Sequence, residues 1–418
     1  MTSSPTLNTG LRKQNNRERE NKVMQIYADN AATTKPSSAA IAAVVECMQS
    51  VYGNPSSLHT EGQKATKALA NARQIMAKHL GCAEREISFT SGGTEAANQA
   101  ILSGAAIGAK NGKKHIISSA GEHHAVLHTL DKLRGQGFEI TLLPLPESGI
   151  IELSALKSAM REDTCLVSIL YANNEIGTIS PVAEIGAICR ERGVLFHTDA
   201  VAAAGYLHID VSAQNIDMLS LASHKFHGPK GVGMLYARKG IKLVNLIEGG
   251  AQEGGKRAGT ENLPSIVGMA AAFDEVCLNM EQNAAMLTAM RDRLIAGLEK
   301  IPHSALNGSR ENRLPGNVSF CFEGIEGEAL LLLLDAKGVR ASSGSACTSG
   351  SLDPSHVLLA IGRTHDIAHG SLRLTLSHEN TPEEVDYIIE AVAQVVARLR
   401  EMSPVWRDLV EGKKPHAL

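Results

Sequence analysis

From about Met24 onward the chain alternates short apolar runs with longer stretches in which apolar residues recur every three or four positions. Ile87 to Thr90, His115 to Ser118, Ile140 to Leu143, Leu166 to Tyr171, Val194 to His197 and Met218 to Leu221 have strand length and read as strands. Stretches between several of them, such as Pro181 to Arg192 closed by Gly193, carry helical periodicity and a glycine stop. This alternation predicts an α/β architecture, a mostly parallel sheet covered by helices. After about residue 280 the rhythm changes to a long helix, short strands around Asn317 to Phe322 and Gly370 to Leu376, and a closing helix from Pro382 to Arg400. A second, smaller domain is expected there. Residues 1–23 are rich in Ser, Asn, Arg and Glu without apolar periodicity and are expected to be a disordered extension, with Glu18 and Glu20 arguing against a transit peptide.

In an open parallel sheet the ligand lies beyond the carboxyl ends of the strands, so the residues after each strand carry the candidate chemistry. Ile87 to Thr90 is followed by Ser91-Gly92-Gly93-Thr94-Glu95 and a helix expected from about Ala96. Free N–H groups and the helix dipole make this turn an anion site, to which Thr94 adds a hydroxyl. Val194 to His197 leads to Asp199, a residue type that otherwise reads as a turn former or cap. Met218 to Leu221 leads to Ser223-His224-Lys225-Phe226-His227-Gly228-Pro229-Lys230-Gly231. Crowding around Lys225 suits an amine with a lowered pKa, ready to attack a carbonyl, and Lys230 is the competing candidate. An anion cradle, a carboxylate and a hindered lysine in that order match what pyridoxal phosphate requires: an anchor for its phosphate, an anion at its ring nitrogen and an amine for its aldehyde.

Composition narrows the partners. With 418 residues, 43% of them hydrophobic, the chain can bury a core large enough for two domains. A net charge of −3 and an aromatic fraction of 3% leave no basic footprint and few rings for stacking on bases, so nucleic acid is not an expected partner. No apolar run approaches the roughly 20 residues of a membrane span, and the N-terminus lacks a signal-peptide core, so a cytoplasmic location is expected. Seven cysteines at 47, 82, 165, 189, 277, 321 and 347 include no close pair of the kind that clamps zinc or an iron-sulfur cluster, and no metal site is expected. Their odd number and wide spacing fit a reducing compartment.

The chain resembles the cysteine desulfurases, enzymes of the aminotransferase-like fold type I. The likeness is carried by Tyr27 to Thr34 (YADNAATT), Gly53 to Ser57 (GNPSS), Thr90 to Glu95, Glu122-His123, Asn173 to Gly177 (NNEIG), His197 to Ala200, His224-Lys225, Arg257 to Asn262 (RAGTEN) and Ser342 to Ser349. The resemblance implies a seven-stranded, mostly parallel sheet in a large domain over 39–279, with 24–38 and 280–418 forming a smaller α+β domain. It also implies roles. Lys225 would bond to the cofactor's aldehyde, Asp199 would pair with the ring nitrogen, and His123 would stack on the ring and shuttle protons. Gly93, Thr94, Ser223 and His224 would hold the phosphate, with Thr260 reaching it from the other subunit of a homodimer. Asn174 would contact the ring oxygen or the substrate, Asn30 would lie at the substrate, and Arg373 would clamp the substrate carboxylate bidentately.

Cys347 decides the reaction that the resemblance implies. Its segment, about 340–352, is rich in Ser, Thr and Gly, a composition that builds no core and suits an exposed loop. Attack of its thiolate on the sulfur of L-cysteine would leave a persulfide and release alanine, with the sulfur passed to an acceptor or scaffold protein. The long loop resembles that of the subgroup serving scaffold proteins. Two positions depart from the family: Ala202 stands where a Gln usually contacts the ring oxygen, and Ala222 where a Ser usually contacts the phosphate. The rival readings are a selenocysteine lyase or another enzyme of the same fold, and a sulfur-relay or regulatory protein with weakened catalysis.

Overall fold

The computed structural model describes residues 24–344 and 353–418, so the expected tail 1–23 and Cys347 lie outside the described residues. Twelve strands are present among the described residues, numbered here in chain order. Strands β2 (Ile87–Thr90), β3 (His115–Ser119), β4 (Glu139–Leu143), β5 (Thr164–Ser168), β6 (Leu195–Asp199), β7 (Met218–Ala222) and β8 (Gly233–Ala237) form one sheet in the order β2-β8-β7-β6-β5-β3-β4. Only β8 runs antiparallel to its neighbours, β2 and β7. Each of the six runs expected as strands contributes to this sheet, whereas β8 has no counterpart in the periodicity reading.

Alternation along the strands explains why helices cover both faces. Ile116, Leu166, Met218 and Leu235 face one core, which contains the helix Gly93–Lys110, while Ile117, Val167, Leu219, Met234 and Tyr236 face the other. A period of two places successive side chains on opposite faces, and both faces here are apolar, as a doubly covered sheet requires. Gly93–Lys110 lies close against the sheet because small residues face it. A Cβ on Gly108 would stand 2.4 Å from Cβ of Cys165, so even one added methyl would overpack this contact, at a typical cost of about 1–3 kcal/mol.

A second core gathers around the antiparallel sheet β12-β10-β9, in which β9 is Ser304–Leu306, β10 is Asn317–Phe322 and β12 is Ser371–Thr375. The helices Met280–Leu298, Gly327–Ala336 and Pro382–Met402 bury Leu294, Leu330 and Val392 against Val318, Phe320 and Leu374. The last of these helices opens with a Thr381/Glu384 capping box and Pro382 in its first turn. Strand β1 (Ile26–Tyr27) pairs in parallel with β11 (Val339–Arg340), and the chain then crosses to the larger sheet. There the Thr34 N–H donates to the His224 carbonyl and the His227 N–H donates to Thr34 Oγ1, which ties the segment to the Lys225 turn. No single helix among the described residues is long and apolar enough to cross a membrane.

Candidate active site

Because β2, β3, β5, β6 and β7 share one direction, their carboxyl ends lie along one edge of the sheet. Along that edge stand Ser91-Gly92-Gly93 after β2, Ser223-His224-Lys225 after β7, Asp199 ending β6, Asn174 after β5, and Glu122-His123 after β3. Residues about 130 positions apart thus meet in one row, which is the switch-point geometry of open α/β sheets.

Lys225 ends a tight turn, and its Nζ donates to the carbonyls of Ala31 and Ala32, the latter at 2.9 Å. It shares a pocket with Asn30, Asn174, Ala202, Tyr206 and Thr375. Asp199 is buried, and Oδ1 accepts the Val201 N–H at 3.0 Å. Burial pushes its pKa up to about 6, opposed by that hydrogen bond and by Lys225. A carboxylate so placed gains most from a cation delivered beside it, which a protonated ring nitrogen supplies. One residue pair deeper, His197 Nδ1 and Nε2 lie 2.8 and 2.9 Å from the hydroxyls of Ser168 and Ser220, which fastens β5, β6 and β7 together beneath Asp199.

His123 caps the helix His124–Arg134, with Nδ1 accepting the Ala125 N–H at 3.1 Å. That leaves the proton on Nε2 of a neutral ring. Burial, and then the charge of Lys225, lower its pKa, so the imidazole stays neutral as a stacking partner must. Its neighbour Glu122 received no role from the sequence. Oε1 accepts from Ser119 Oγ at 2.7 Å and from the Leu170 N–H at 3.0 Å, whereas Oε2 is buried without a partner among the described residues. Burial raises its pKa to about 8. The unfolded acid loses its proton near pH 4.5 and the folded one near 8, so stability present below 4.5 is lost as pH rises through 8. Glu122→Gln mimics the protonated form and should flatten this decline by on the order of 2 kcal/mol, read from urea unfolding at pH 5.5 and 8.5.

The anion cradle forms at the N-terminus of Gly93–Lys110, which begins three residues before the expected Ala96 and so places Gly93 and Thr94 in its first turn. Gly92, Gly93, Thr94, His224 and Lys230 line one cleft. A Cβ on Gly93 would meet Val201 Cγ2 at 2.7 Å, so only glycine lets the turn lie this close to the sheet edge. Burial, then the charges of Lys225 and Lys230, hold the His224 pKa down near 4, and its Nδ1 lies 3.2 Å from Thr33 Oγ1. Lys230 is exposed at the cradle and is absent from the Asp199-side pocket, so geometry separates the two lysines. Ser223 does not line the cleft. It is buried with Oγ against the Cα of Gly228, where a Cβ would stand 1.9 Å from that oxygen. Thr260 is exposed and lines the neighbouring cleft with Ser91 and Gly231.

Arg373 is buried in β12. Its Nη2 donates to Ser342 Oγ at 2.7 Å and pairs with Asp29 at 3.1 Å, Nη1 donates to the Asn174 carbonyl at 3.3 Å, and Nε has no partner among the described residues. Part of the guanidinium is thus already engaged, while Nε is the orphaned donor that a substrate carboxylate fits. Asn30 donates Nδ2 to the Thr375 carbonyl at 2.8 Å, which leaves its side-chain oxygen for the pocket. Glu175, also given no role by the sequence, accepts from Ser355 Oγ and lies so close to Gly344 that a Cβ there would clash with it. Burial raises its pKa to about 7, against that hydrogen bond and the charge of Arg373.

These groups match the demands of pyridoxal phosphate: a buried anion, a lysine beside it, a neutral imidazole and a helix N-terminus opened by glycine. Ala202 lines the same pocket as Lys225 and Asn174 and presents only a methyl group. Ala202→Gln should tighten cofactor binding about tenfold, the effect of one hydrogen bond to a charged oxygen, when cofactor is titrated into the stripped protein. Equal or weaker binding would show a pocket rebuilt around alanine.

The aminotransferase class-V family model matches residues 26–388, and the chain belongs to that family. It is 52% identical over 386 residues to the cysteine desulfurase IscS of Methanosarcina thermophila, covering 92% of this chain and 95% of that one. A solved NifS-like protein superposes with a TM-score of 0.84 at 36% identity, over 90% of this chain and all of that one. The structure of SspA in complex with cysteine matches with a TM-score of 0.75 at 34% identity, over 86% of this chain and all of that one. Within the class-V aminotransferases, this chain stands among the cysteine desulfurases.

Proposed function

We propose that this enzyme takes sulfur from L-cysteine, releases L-alanine and holds the sulfur as a persulfide on Cys347 for an acceptor protein, using pyridoxal phosphate. The observation that carries the reading is the row formed by the cradle, Lys225, Asp199, Asn174 and His123 along one sheet edge. A relative solved with cysteine bound supports the substrate. Pyridoxal phosphate, when bound, supplies an electron sink conjugated to the amino acid. With it bound, Asp199 would hold a proton on the ring nitrogen, the neutral His123 imidazole would contact the ring, and Gly93, Thr94 and His224 would bind the phosphate. Arg373 orients the substrate through its carboxylate, and Lys225 and His123 move protons at the substrate carbons.

In the transfer step, the Cys347 thiolate forms a bond to the substrate sulfur as the substrate Cβ–S bond breaks. The electron pair stays with Cβ, which takes a proton and leaves as the methyl group of alanine. A homodimer belongs to the same reading, and the exposure of Thr260 agrees with service to a second copy's cradle. So does a reducing, cytoplasmic setting, in which the free thiols of Cys47, Cys82, Cys165, Cys189, Cys277 and Cys321 persist.

The test is Cys347→Ser. The variant should keep the yellow colour of the bound cofactor and the spectral change on adding cysteine, yet form no persulfide and release no alanine. Wild-type sulfide release from this variant would overturn Cys347 as the sulfur carrier.

A further inference from the structure

Among the described residues Arg373 is the largest side chain that the fold buries completely. Its partners come from two segments distant in the chain. Asp29, two residues after β1, lies beside Thr375 of β12 through an isolated parallel bridge, and Ser342, two residues after β11, faces Arg373 itself through an isolated antiparallel one. The Ser342 N–H donates to the Arg373 carbonyl at 3.3 Å and the Arg373 N–H to the Ser342 carbonyl at 2.6 Å, so the serine backbone is fixed against the strand. The side chains close a triangle. Nη2 of Arg373 donates to Ser342 Oγ at 2.7 Å and to Asp29 Oδ1 at 3.1 Å, and Ser342 Oγ donates to that same Oδ1 at 2.8 Å.

A guanidinium grips a carboxylate with two parallel N–H groups, and two of its edges can do so: Nε with Nη2, and Nη1 with Nη2. Nη2 belongs to both edges, and both of its hydrogens are taken. Nη1 donates to the Asn174 carbonyl, and Nε is buried without a partner among the described residues. A forked grip on a carboxylate therefore opens only when Nη2 is released. We propose that Asp29 is a placeholder for the substrate α-carboxylate: it holds Nη2 of Arg373 until L-cysteine arrives, then yields it, so that the substrate grips Nη2 together with the orphaned Nε. Asp29 is then a positioning residue acting through Arg373, a role that rests on Arg373 being the carboxylate clamp of the proposed function.

Charge and exposure select Asp29, rather than Ser342, as the group that leaves. A carboxylate arriving at Nε stands next to the Asp29 carboxylate on the adjoining nitrogen, and like charges so close repel, whereas a hydroxyl does not oppose the newcomer. The Asp29 side chain is 20% exposed and has water to turn to, while the Arg373 side chain is 1% exposed and Ser342 is buried. Asp29 also explains how a cation stays buried here before substrate binds, since a buried charge without a partner is strongly destabilising. Because binding exchanges one carboxylate for another, Arg373 selects for a carboxylate while adding little net affinity. That eases the release of L-alanine, which carries the same group.

The experiment measures binding of L-alanine and of ethylamine, its counterpart without the carboxylate, to the full-length, cofactor-loaded protein by calorimetry, for wild type, Asp29→Asn and Arg373→Gln. Asparagine keeps the shape of Asp29 without its charge, so Asp29→Asn should bind L-alanine about tenfold more tightly, with ethylamine unchanged and a lower KM for L-cysteine. A purely structural role for Asp29 would move both ligands alike. Equal or weaker L-alanine binding in Asp29→Asn, or a gain shared by ethylamine, would overturn the proposal. If Arg373→Gln prefers L-alanine to ethylamine as strongly as wild type does, the clamp assignment itself fails and the placeholder with it; loss of that preference keeps the clamp and leaves Asp29→Asn to decide. Should Asp29→Asn fail to fold, a crystal structure of the loaded wild type with L-alanine carries the test. The ligand carboxylate should then stand on Nη2 and Nε with Asp29 withdrawn, and an Asp29–Nη2 contact that persists would overturn the proposal.

Discussion

Replacing Lys225 by alanine should lower turnover by at least about 10²–10⁴-fold, the range associated with losing a positioned proton-transfer group, and should leave a protein from which the cofactor dialyses away. Both effects follow from position. Lys225 is held by the carbonyls of Ala31 and Ala32 in the pocket shared with Asn174, while its charge is felt by Asp199 and His123 on the neighbouring strands. Lys230 cannot replace it, because it stands at the cradle, where its charge suits a phosphate. Borohydride treatment of the wild type followed by peptide mapping should place the cofactor's carbon on Lys225. Label on Lys230 would reverse the two assignments.

The second large effect is expected for Asp199→Asn. The amide keeps the shape and can still accept the Val201 N–H, but it has no charge with which to hold a proton on a ring nitrogen. Turnover should fall by about 10²–10³-fold, in line with the loss of a preorganised electrostatic contact, while the cradle and Lys225 still retain the cofactor. The pH dependence carries the signature. The pKa of Asp199 is raised to about 6 by burial, so in the cofactor-free protein the anion is present above that pH and lost below it. Cofactor affinity of the wild type should therefore fall as pH drops through about 6. The phosphate itself titrates near pH 6 in both proteins, so the difference between the wild-type and variant binding curves isolates Asp199. Parallel curves would mean that the ring nitrogen is held by another group.

Much of the site was legible because it follows strand ends. Once six apolar runs are read as parallel strands, the rule that ligands lie beyond their carboxyl ends selects the loops with Gly93, Asp199 and Lys225. The structure places those residues along one edge. Strand β8 escaped because a five-residue run between glycine-rich turns has no periodicity of its own. It becomes a strand by pairing with β2 and β7, the first of them about 145 positions earlier in the chain. The cradle helix starts three residues before the expected Ala96, since two glycines read as turn while the packed backbone makes them cap and first turn.

Local sequence thus determined six of the seven strands of the large sheet, the chain order of cradle, carboxylate and lysine, and a cysteine set in serine and glycine. These depend on spacing and residue type alone. Tertiary structure decided which groups have altered protonation and which are already engaged. Glu122 and Glu175 are ordinary acids in a sequence, and only burial raises them to about 8 and 7. Arg373 reads as a free clamp until Asp29 and Ser342 are seen to hold one of its nitrogens, and the Ser223 hydroxyl lies buried against Gly228 without a hydrogen-bond partner among the described residues. Asp29, Ser342 and Arg373 share no local pattern and meet only because isolated bridges bring Asp29 beside Thr375 and Ser342 beside Arg373. Desolvation and long-range contact are properties of the packed chain, and no window of neighbouring residues encodes them.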